Sequence, residues 1–440
     1  MTTAPMSAQE ITALIMMFGL IIALILIRVP IAFSLGGASL ITAWYLDVPM
    51  YSLFSSAATG LASFTFMAVP FFMIMGQIMS DGDIGSRLVD TCNIFVGRIR
   101  GGTAVVNILD SMLFGGISGS SVADVSSIGA MIIPAMVDEG YDATYSVAVT
   151  VCSSVQGVII PPSQNMIFYC IYANCGLSIT TMFMAGYIPG VLLGLFMMVP
   201  TVWLAWKRNY PLSEKKTLKE NLKVVAEAAA GLFAIVIVVY TTTAGVCSAT
   251  ESAAVTAVYS LLVTMFIYKN VNLKIFWKGM LNCVNSMTLV MAAISCSTAF
   301  RYMLSYLKAP SRLTAMLLGV TDNVIVLMAL IIIFVVIMGC FIDMGLMLMM
   351  LSPVLVPVVM EMGMNPYHFG IVFIMACAIG LVTPPVGNAI ILGCSIGKVK
   401  AEDCIKDLLP FVGAMVACTL VLLFFPQLSL FIPNWVAARG

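Results

Sequence analysis

The sequence predicts an all-α polytopic membrane protein built from two inverted copies of one unit, each holding a re-entrant helical hairpin and a discontinuous helix. Three observations predict it. The apolar runs are long and do not alternate, Lys and Arg are distributed unevenly, and helix-breaking residues recur at an offset of 223.

The apolar runs come first. Hydrophobic residues make up 61% of the 440 and charged residues 9%, and the mean hydropathy is +1.08. A soluble domain carries about 25% charged residues. A chain this apolar belongs in a lipid bilayer, where helices and closed barrels are the only spanning structures, and long runs without period-two alternation are helical. Met1 to Glu10 contain no Lys or Arg, whereas a cleaved secretory signal opens on positive charge. Ile11 to Ile27 is therefore expected to be a retained first span. The 12 Cys are scattered singly, without C-x-x-C, and His368 is the only histidine. That argues against a zinc site or a disulfide framework, so the cysteines read as small buried apolar residues. A net charge of zero without a suitable basic run argues against a nucleic-acid partner.

In chain order, spans are expected at 11–27, 31–46, 61–79, 180–206, 226–244, 252–268, 284–300 and 408–432. Four further apolar regions, 100–138, 142–176, 324–361 and 367–394, are interrupted by Gly, Pro, Ser and Asp. Val271 to Lys278 and Lys398 to Asp407 look like amphipathic helices on the membrane surface. The longest polar linker, Lys207 to Lys223, holds six basic residues. If it is cytoplasmic, and 100–138 and 324–361 each enter and leave on one side, 16 of the 20 Lys and Arg face the cytoplasm. That is the bias of the positive-inside rule, and it sets both termini on the periplasmic side.

At an offset of 223, Gly116 meets Gly339, Pro134 meets Pro357, and Gly140 meets Gly363. Gly157 then meets Gly380, Pro161-Pro162 meets Pro384-Pro385, and Asn165 meets Asn388. Coincidence in a Gly- and Pro-rich chain is the alternative, but breakers inside lipid are the rarest residues to match by chance. The topology opens one hairpin to each side, so the repeats are inverted. Inverted repeats with interrupted helices place a transport site at their interface, near the midplane.

The first hairpin tip reads Gly115-Gly116-Ile117-Ser118-Gly119-Ser120-Ser121 and faces Gly157-Val158-Ile159-Ile160-Pro161-Pro162-Ser163-Gln164-Asn165. Two consecutive prolines remove two N–H donors, which strands the carbonyls before them. Unwound carbonyls coordinate Na⁺ in transporters, and half-helix N-termini face anionic groups. The second unit repeats the pattern with Gly339-Cys340-Phe341-Ile342-Asp343 and Gly380-Leu381-Val382-Thr383-Pro384-Pro385-Val386-Gly387-Asn388. Two Na⁺ sites are expected, the first around Gly115, Ser118, Gly157, Ile160 and Pro161, the second around Gly339, Gly380, Thr383 and Val386. The competing reading is two proline kinks satisfied by Ser, Thr or water.

Solute contacts are expected from Ser118, Ser120, Ser163, Asn165, Asp343 and Asn388. Four carboxylates fall at membrane depth: Asp110, Asp124, Glu251 and Asp343. Such groups are costly in lipid and usually functional. Asp343 ranks first, as a solute or cation contact, with an N-cap of the following helix as the alternative. Asp124 reads as fixing its hairpin arm, and Glu251 as the N-terminal charge of the next span. Met344 to Met350 reads as a packing surface, and His368 as a local hydrogen-bonding group.

These motifs, together with Ala249-Thr250-Glu251-Ser252-Ala253-Ala254, resemble the large membrane subunit of the tripartite ATP-independent periplasmic (TRAP) transporters over nearly the whole chain. The resemblance implies a bacterial inner-membrane protein with an elevator-type ion-transporter fold. It further implies Na⁺-coupled uptake of an organic acid (a dicarboxylate, sialic acid, sugar acid or keto acid) delivered by a periplasmic binding protein of P type. A small four-helix membrane subunit of Q type is implied as a separate partner. Residues 1–80 and 207–305 are expected to form the scaffold, and 90–206 and 310–432 the moving units. A binding-protein-independent sodium and organic-anion symporter of the same superfamily is the alternative. An intramembrane hydrolase using Ser118 or Asp343 lacks a partner base, and mirror-related hairpins argue for alternating access over a channel.

Overall fold

The computed structural model describes residues 7–27, 29–62, 64–96, 99–173, 175–210, 218–309, 312, 323–384 and 387–438. Among them the chain is helical, without a strand. Among the described residues, seven helices are long and apolar enough to cross a membrane.

Helix α1 (Ala8–Leu26) opens on a capping box, in which Ser7 and Glu10 exchange side chain-to-backbone bonds of 3.2 Å. Helices α2 (Ile31–Tyr45) and α3 (Met50–Leu61) each start after a proline, where the missing N–H costs no helical bond. The expected span 61–79 divides instead. A 3₁₀ turn at Phe64–Met67 separates α3 from α4 (Ala68–Asp81). Helix α5 (Ile84–Val96) escaped a hydropathy reading because it carries Arg87 and Asp90.

The first interrupted region is a hairpin of α6 (Gly102–Ser118), the short α7 (Ser121–Asp124), a π turn at Val125–Gly129 and α8 (Ala130–Asp138). The second is a broken helix, α9 (Ala143–Ser154) running through a 3₁₀ turn at Val155–Val158 to α10 (Gln164–Ala173). Helices α11 (Ile179–Lys207), α12 (Leu218–Thr243) and α13 (Ala249–Leu262) follow. Glu251 is the N3 residue of a capping box with Ser248, so it starts α13 as expected.

Helix α14 (Leu273–Tyr306) runs for 34 residues from its Asn272 cap. The expected surface helix 271–278 is its first turns, since nothing between 273 and 284 breaks the helix. The second unit holds a hairpin of α15 (Val324–Gly339) and α16 (Met344–Glu361) and a broken helix of α17 (Pro366–Val382) and α18 (Asn388–Gly397). Helix α19 (Ala401–Phe424) likewise absorbs most of the expected surface stretch 398–407. Pro426 separates it from α20 (Gln427–Ala437), so 408–432 is not one span. Arg208, at the end of α11, ties this end of the bundle by pairing with Asp142 before α9, at 2.8 Å, and with Asp407 of α19.

Each hairpin meets its broken helix backbone to backbone. A Cβ on Gly115 would lie 2.5 Å from Gly157 Cα, and one on Gly380 would lie 2.5 Å from Gly339 Cα. The contacts therefore pair Gly115, not Gly116, with the role of Gly339. Ser120 and Asp343, the next helix caps, keep the offset of 223. The first tip thus holds one residue more than the second. The unwound segment of the first unit also lies on a glycine stripe of α11. A Cβ on Gly186 would sit 2.5 Å from Ile159 O, one on Gly190 would sit 3.4 Å from Ile160 Cα, and one on Gly194 would sit 2.6 Å from Gln156 Oε1. Glycines four apart on one helix let backbones approach this closely.

Three polar pairs tie the first hairpin to α9. Asn107 Nδ2 donates to Thr150 Oγ1 at 2.6 Å, Ser111 and Ser153 share a bond of 3.0 Å, and Ser121 and Ser154 one of 2.6 Å. All six residues are buried.

Gly115→Ala and Gly380→Ala should each lower the thermal midpoint of the detergent-solubilised protein, by the ~1–3 kcal/mol typical of overpacking. Gly413→Ala, with nothing within 4 Å of the added Cβ, should leave it unchanged or raise it by up to about 1 kcal/mol. Equal midpoints for all three variants would contradict the glycine contacts.

Candidate functional site

In the first break, Pro161 and Pro162 have no N–H to return to Gly157 and Val158. Ser163 fills one gap, since its hydroxyl donates to Val158 O at 2.6 Å. The carbonyls of Ile159, Ile160, Pro161 and Pro162 receive no hydrogen bond from any described residue. The hairpin tip covers them. A Cβ on Gly116 would lie 3.2 Å from Pro161 O, and one on Gly119 would lie 2.9 Å from Pro162 O. The Gln164 N–H reaches Gly119 O at 3.4 Å. Gly119 has φ +62°, a conformation glycine enters without penalty. Gly115, Gly157, Ile160 and Pro161, predicted to share a cation site, are brought together. The Gly115 carbonyl already accepts the Gly119 N–H at 2.8 Å.

The second break follows the same logic. The Thr383 N–H bonds Gly380 O at 3.1 Å and its hydroxyl donates to Ile379 O at 2.6 Å. Leu381 has Pro384 and Pro385 three and four residues on, so no helical N–H can reach its carbonyl. A Cβ on Gly387 would lie 2.5 Å from Leu381 O. Gly339 and Gly380 touch as described, whereas Val386 lies outside the described residues.

Asp343 caps α16 by accepting the Gly345 N–H at 3.0 Å, and its other oxygen accepts Asn388 Nδ2 at 2.7 Å. Two predicted residues therefore meet, and they tie the second tip to the start of α18. Asp110 and Asp124 are 0% and 1% exposed, and neither carboxyl group accepts a hydrogen bond from a described residue. Bare carboxylates in such surroundings are strongly disfavoured. His368 lies 3.2 Å from Ser429 Oγ, the local bond expected of it.

A cavity of about 470 Å³ opens beside the first tip, within the usual range of small-molecule sites. Ser118, Ser120 and Ser126 of the hairpin line it, with Gln164 and Phe168 of α10, Gln77 and Ser80 of α4, and Asn282 and Ser286 of α14. The Ser118 hydroxyl is 3.4 Å from the Ser120 N–H. Of the predicted solute residues, Ser118 and Ser120 reach the cavity. Ser163 turns inward to Val158, and Gln164 stands on the lining where Asn165 does not. Asp343 and Asn388 lie elsewhere. The lining residues from α4, α10 and α14 were missed. Their signal was present, because Gln77, Ser80, Asn282 and Ser286 are polar residues inside apolar runs.

A family model described as the DctM component of the tripartite ATP-independent periplasmic transporters matches residues 18–428. The 2,3-diketo-L-gulonate TRAP transporter large permease protein YiaN of Escherichia coli is 30% identical over 427 residues, covering 96% of this chain and 100% of that one. The C4-dicarboxylate TRAP transporter large permease protein DctM of Rhodobacter capsulatus is 30% identical over 434 residues, covering 96% and 98%. The crystal structure of the Alcanivorax borkumensis YdaH transporter shares the fold, with a TM-score of 0.67 at 12% identity over 96% of this chain and 98% of that one.

Ser163→Ala leaves Val158 O without its donor and should cost about 1–3 kcal/mol, read as a lower thermal midpoint. Ser163→Thr, which keeps the hydroxyl, should recover part of the loss. A Ser163→Ala midpoint equal to wild type would show that water or another donor already serves that carbonyl.

Proposed function

Because the chain belongs to the DctM-component family of the tripartite ATP-independent periplasmic transporters, we propose that it is the sodium-coupled membrane carrier of a small organic acid. One observation carries the sodium reading: four successive carbonyls, Ile159 to Pro162, receive no hydrogen bond from a described residue, beneath a tip whose glycines admit close approach. A sodium ion supplies the positive charge that such oxygens lack in a water-poor interior. Gly115, Ser118, Gly157, Ile160 and Pro161 would hold it. Gly339, Gly380, Thr383 and Val386 would hold a second.

The solute is an organic acid of the kind named for the relatives, such as a C4-dicarboxylate or a diketo sugar acid. It is received from a periplasmic binding protein, with a small four-helix permease of Q type beside the chain. Its pocket is the 470 Å³ cavity, where the moving unit contributes the tip and α10 and the scaffold contributes α4 and α14. This matches a division into a scaffold, 1–80 and 207–305, and moving parts, 90–206 and 310–432. The moving parts slide as an elevator in the inner membrane, with inverted hairpins and both termini periplasmic. In this reading Asp343 acts through Asn388, fixing the second tip against its broken helix.

The test is uptake into proteoliposomes holding the chain, its small permease and its binding protein, with and without a sodium gradient. Asp343→Ala should abolish uptake while the chain stays in the membrane, and wild-type uptake by that variant would exclude the role given to it. Pro161→Ala and Pro384→Ala should each raise the half-saturating sodium concentration roughly tenfold, about 1.4 kcal/mol. Unchanged sodium activation in both would argue against carbonyl-built sites. Uptake of free solute at full rate without the binding protein would favour the independent symporter.

A further inference from the structure

A groove of about 230 Å³ runs along the second unit, between α15, the end of α17 and α19. Ile333 and Ile337 of α15 and Leu420 of α19 line it and are exposed. Ile379 of α17 and Thr419 of α19 line it from within and are buried. Thr419 is the one polar residue on the lining, and its hydroxyl donates to Met415 O at 2.8 Å. The walls therefore present hydrocarbon to a guest. The α15 wall extends from Ala329 to Ile337, which lie roughly 8 and 20 Å along the helix from Val324 at 1.5 Å per residue. That depth falls within a hydrocarbon layer of about 30 Å.

The first unit closes the same seam. A Cβ on Gly194 of α11 would lie 2.6 Å from Gln156 Oε1, and Gln156 Nε2 donates to Ile108 O of α6 at 3.1 Å, so three elements meet there. Leu193 and Met197 of α11 are both 0% exposed. At the offset of 223, Gly186, Gly190 and Gly194 become Leu409, Gly413 and Ala417, and Gln156 becomes Ile379. Two of the three glycines and the bridging amide are lost. Val416 and Leu420, the counterparts of Leu193 and Met197, are 39% and 44% exposed. The groove is the gap that these changes leave between α19 and α15.

We propose that one tail of a membrane phospholipid occupies this groove. Helix α15 carries no polar side chain, and Leu330, Ile333, Phe334 and Ile337 on it are exposed. The groove is thus continuous with a surface that the chain turns to lipid. An unfilled apolar gap forfeits dispersion contacts on its walls and stays dry, whereas a flexible tail restores those contacts. The groove is also narrow. Its volume of 230 Å³ is spread along about 12 Å of α15, and a helix about 10–12 Å across cannot enter it. The tail ends beside the second break. Ile379 precedes Gly380, and Ile337 stands two residues before Gly339, the two glycines whose backbones touch. It therefore braces α15 against α17 at that contact. The proposal requires only a chain that spans a membrane, so the transport reading can fail without it.

The test is photo-crosslinking in nanodiscs that hold the chain and its small permease, with a phosphatidylethanolamine carrying a diazirine in the terminal half of one tail. Peptide mass spectrometry should find adducts on Thr419, which is 1% exposed and out of reach of lipid that stays outside the groove. Exposed Phe334, which does not line the groove, is the reference for ordinary surface lipid. Val416→Phe and Ala329→Leu, which fill the groove, should each cut the Thr419 adduct at least fivefold and leave the Phe334 adduct unchanged. Gel filtration checks that both variants fold. If one does not, the other decides, and if neither does, the wild-type adducts decide. Stripping lipid with excess detergent should lower the thermal midpoint of wild type by more than that of either filled variant. A wild-type chain without a Thr419 adduct, or an adduct unchanged in the filled variants, overturns the proposal, and equal midpoint shifts overturn the bracing. A Thr419 adduct that forms only when the small permease is left out would put a protein partner in the groove and overturn it as well.

Discussion

A peptide carbonyl inside a membrane protein needs a partner, because no bulk water is at hand to supply one. The paired prolines of the two broken helices remove N–H donors and so create that need. The chain answers in two ways. Ser163 and Thr383, flanking the prolines, each return a hydroxyl proton to a stranded carbonyl at 2.6 Å. Glycines on the facing hairpin and on α11 then let both elements lie close against the unwound segment, where only the Ile160 and Met166 side chains crowd the α11 glycines Gly190 and Gly186. What remains is a short row of oxygens, Ile159 to Pro162, that receive no hydrogen bond from any described residue. The rest of the first unit, from the polar pairs on α9 to the tip glycines, keeps that row fixed and shielded.

Much of this was legible beforehand, for physical reasons. Pro-Pro pairs and glycine clusters are out of place in a spanning helix, so the hairpins and breaks declare themselves by composition. Their register was read one residue off at the first tip, because Gly115 and Gly116 are adjacent and only the contact with Gly157 separates them. The ends of α14 and α19 were misread as surface helices, since an amphipathic stretch lying on a membrane and the wet end of a spanning helix have the same pattern. The α4 and α14 side of the cavity was missed because Gln77 and Ser80 on one helix and Asn282 and Ser286 on the other lie far apart in sequence. Asp343 and Asn388 were both singled out, but that they bond to each other depends on the turn of the second tip.

The two units are alike in sequence and unlike in packing. Gly190 receives the unwound segment of the first unit, whereas its counterpart at the 223 offset, Gly413, has no atom within 4 Å of an added Cβ. The first tip borders a polar cavity, and the second is closed by an Asp–Asn bond. One copy of the motif thus borders open space, while the other is braced. The breaks come in pairs, and the helices packed around them differ.

Helix α14 has a mechanical consequence of its own. At 1.5 Å per residue its 34 residues make a rod about 51 Å long, against a hydrocarbon layer of about 30 Å. The excess must go into tilt or into protrusion past the headgroups. Lys274, Trp277 and Lys278 near its start are the residue types that anchor at such a boundary. The rod's inclination, and with it the height of every group it carries, is therefore tied to the thickness of the host bilayer. Acyl-chain length becomes a variable that the protein senses through its longest strut.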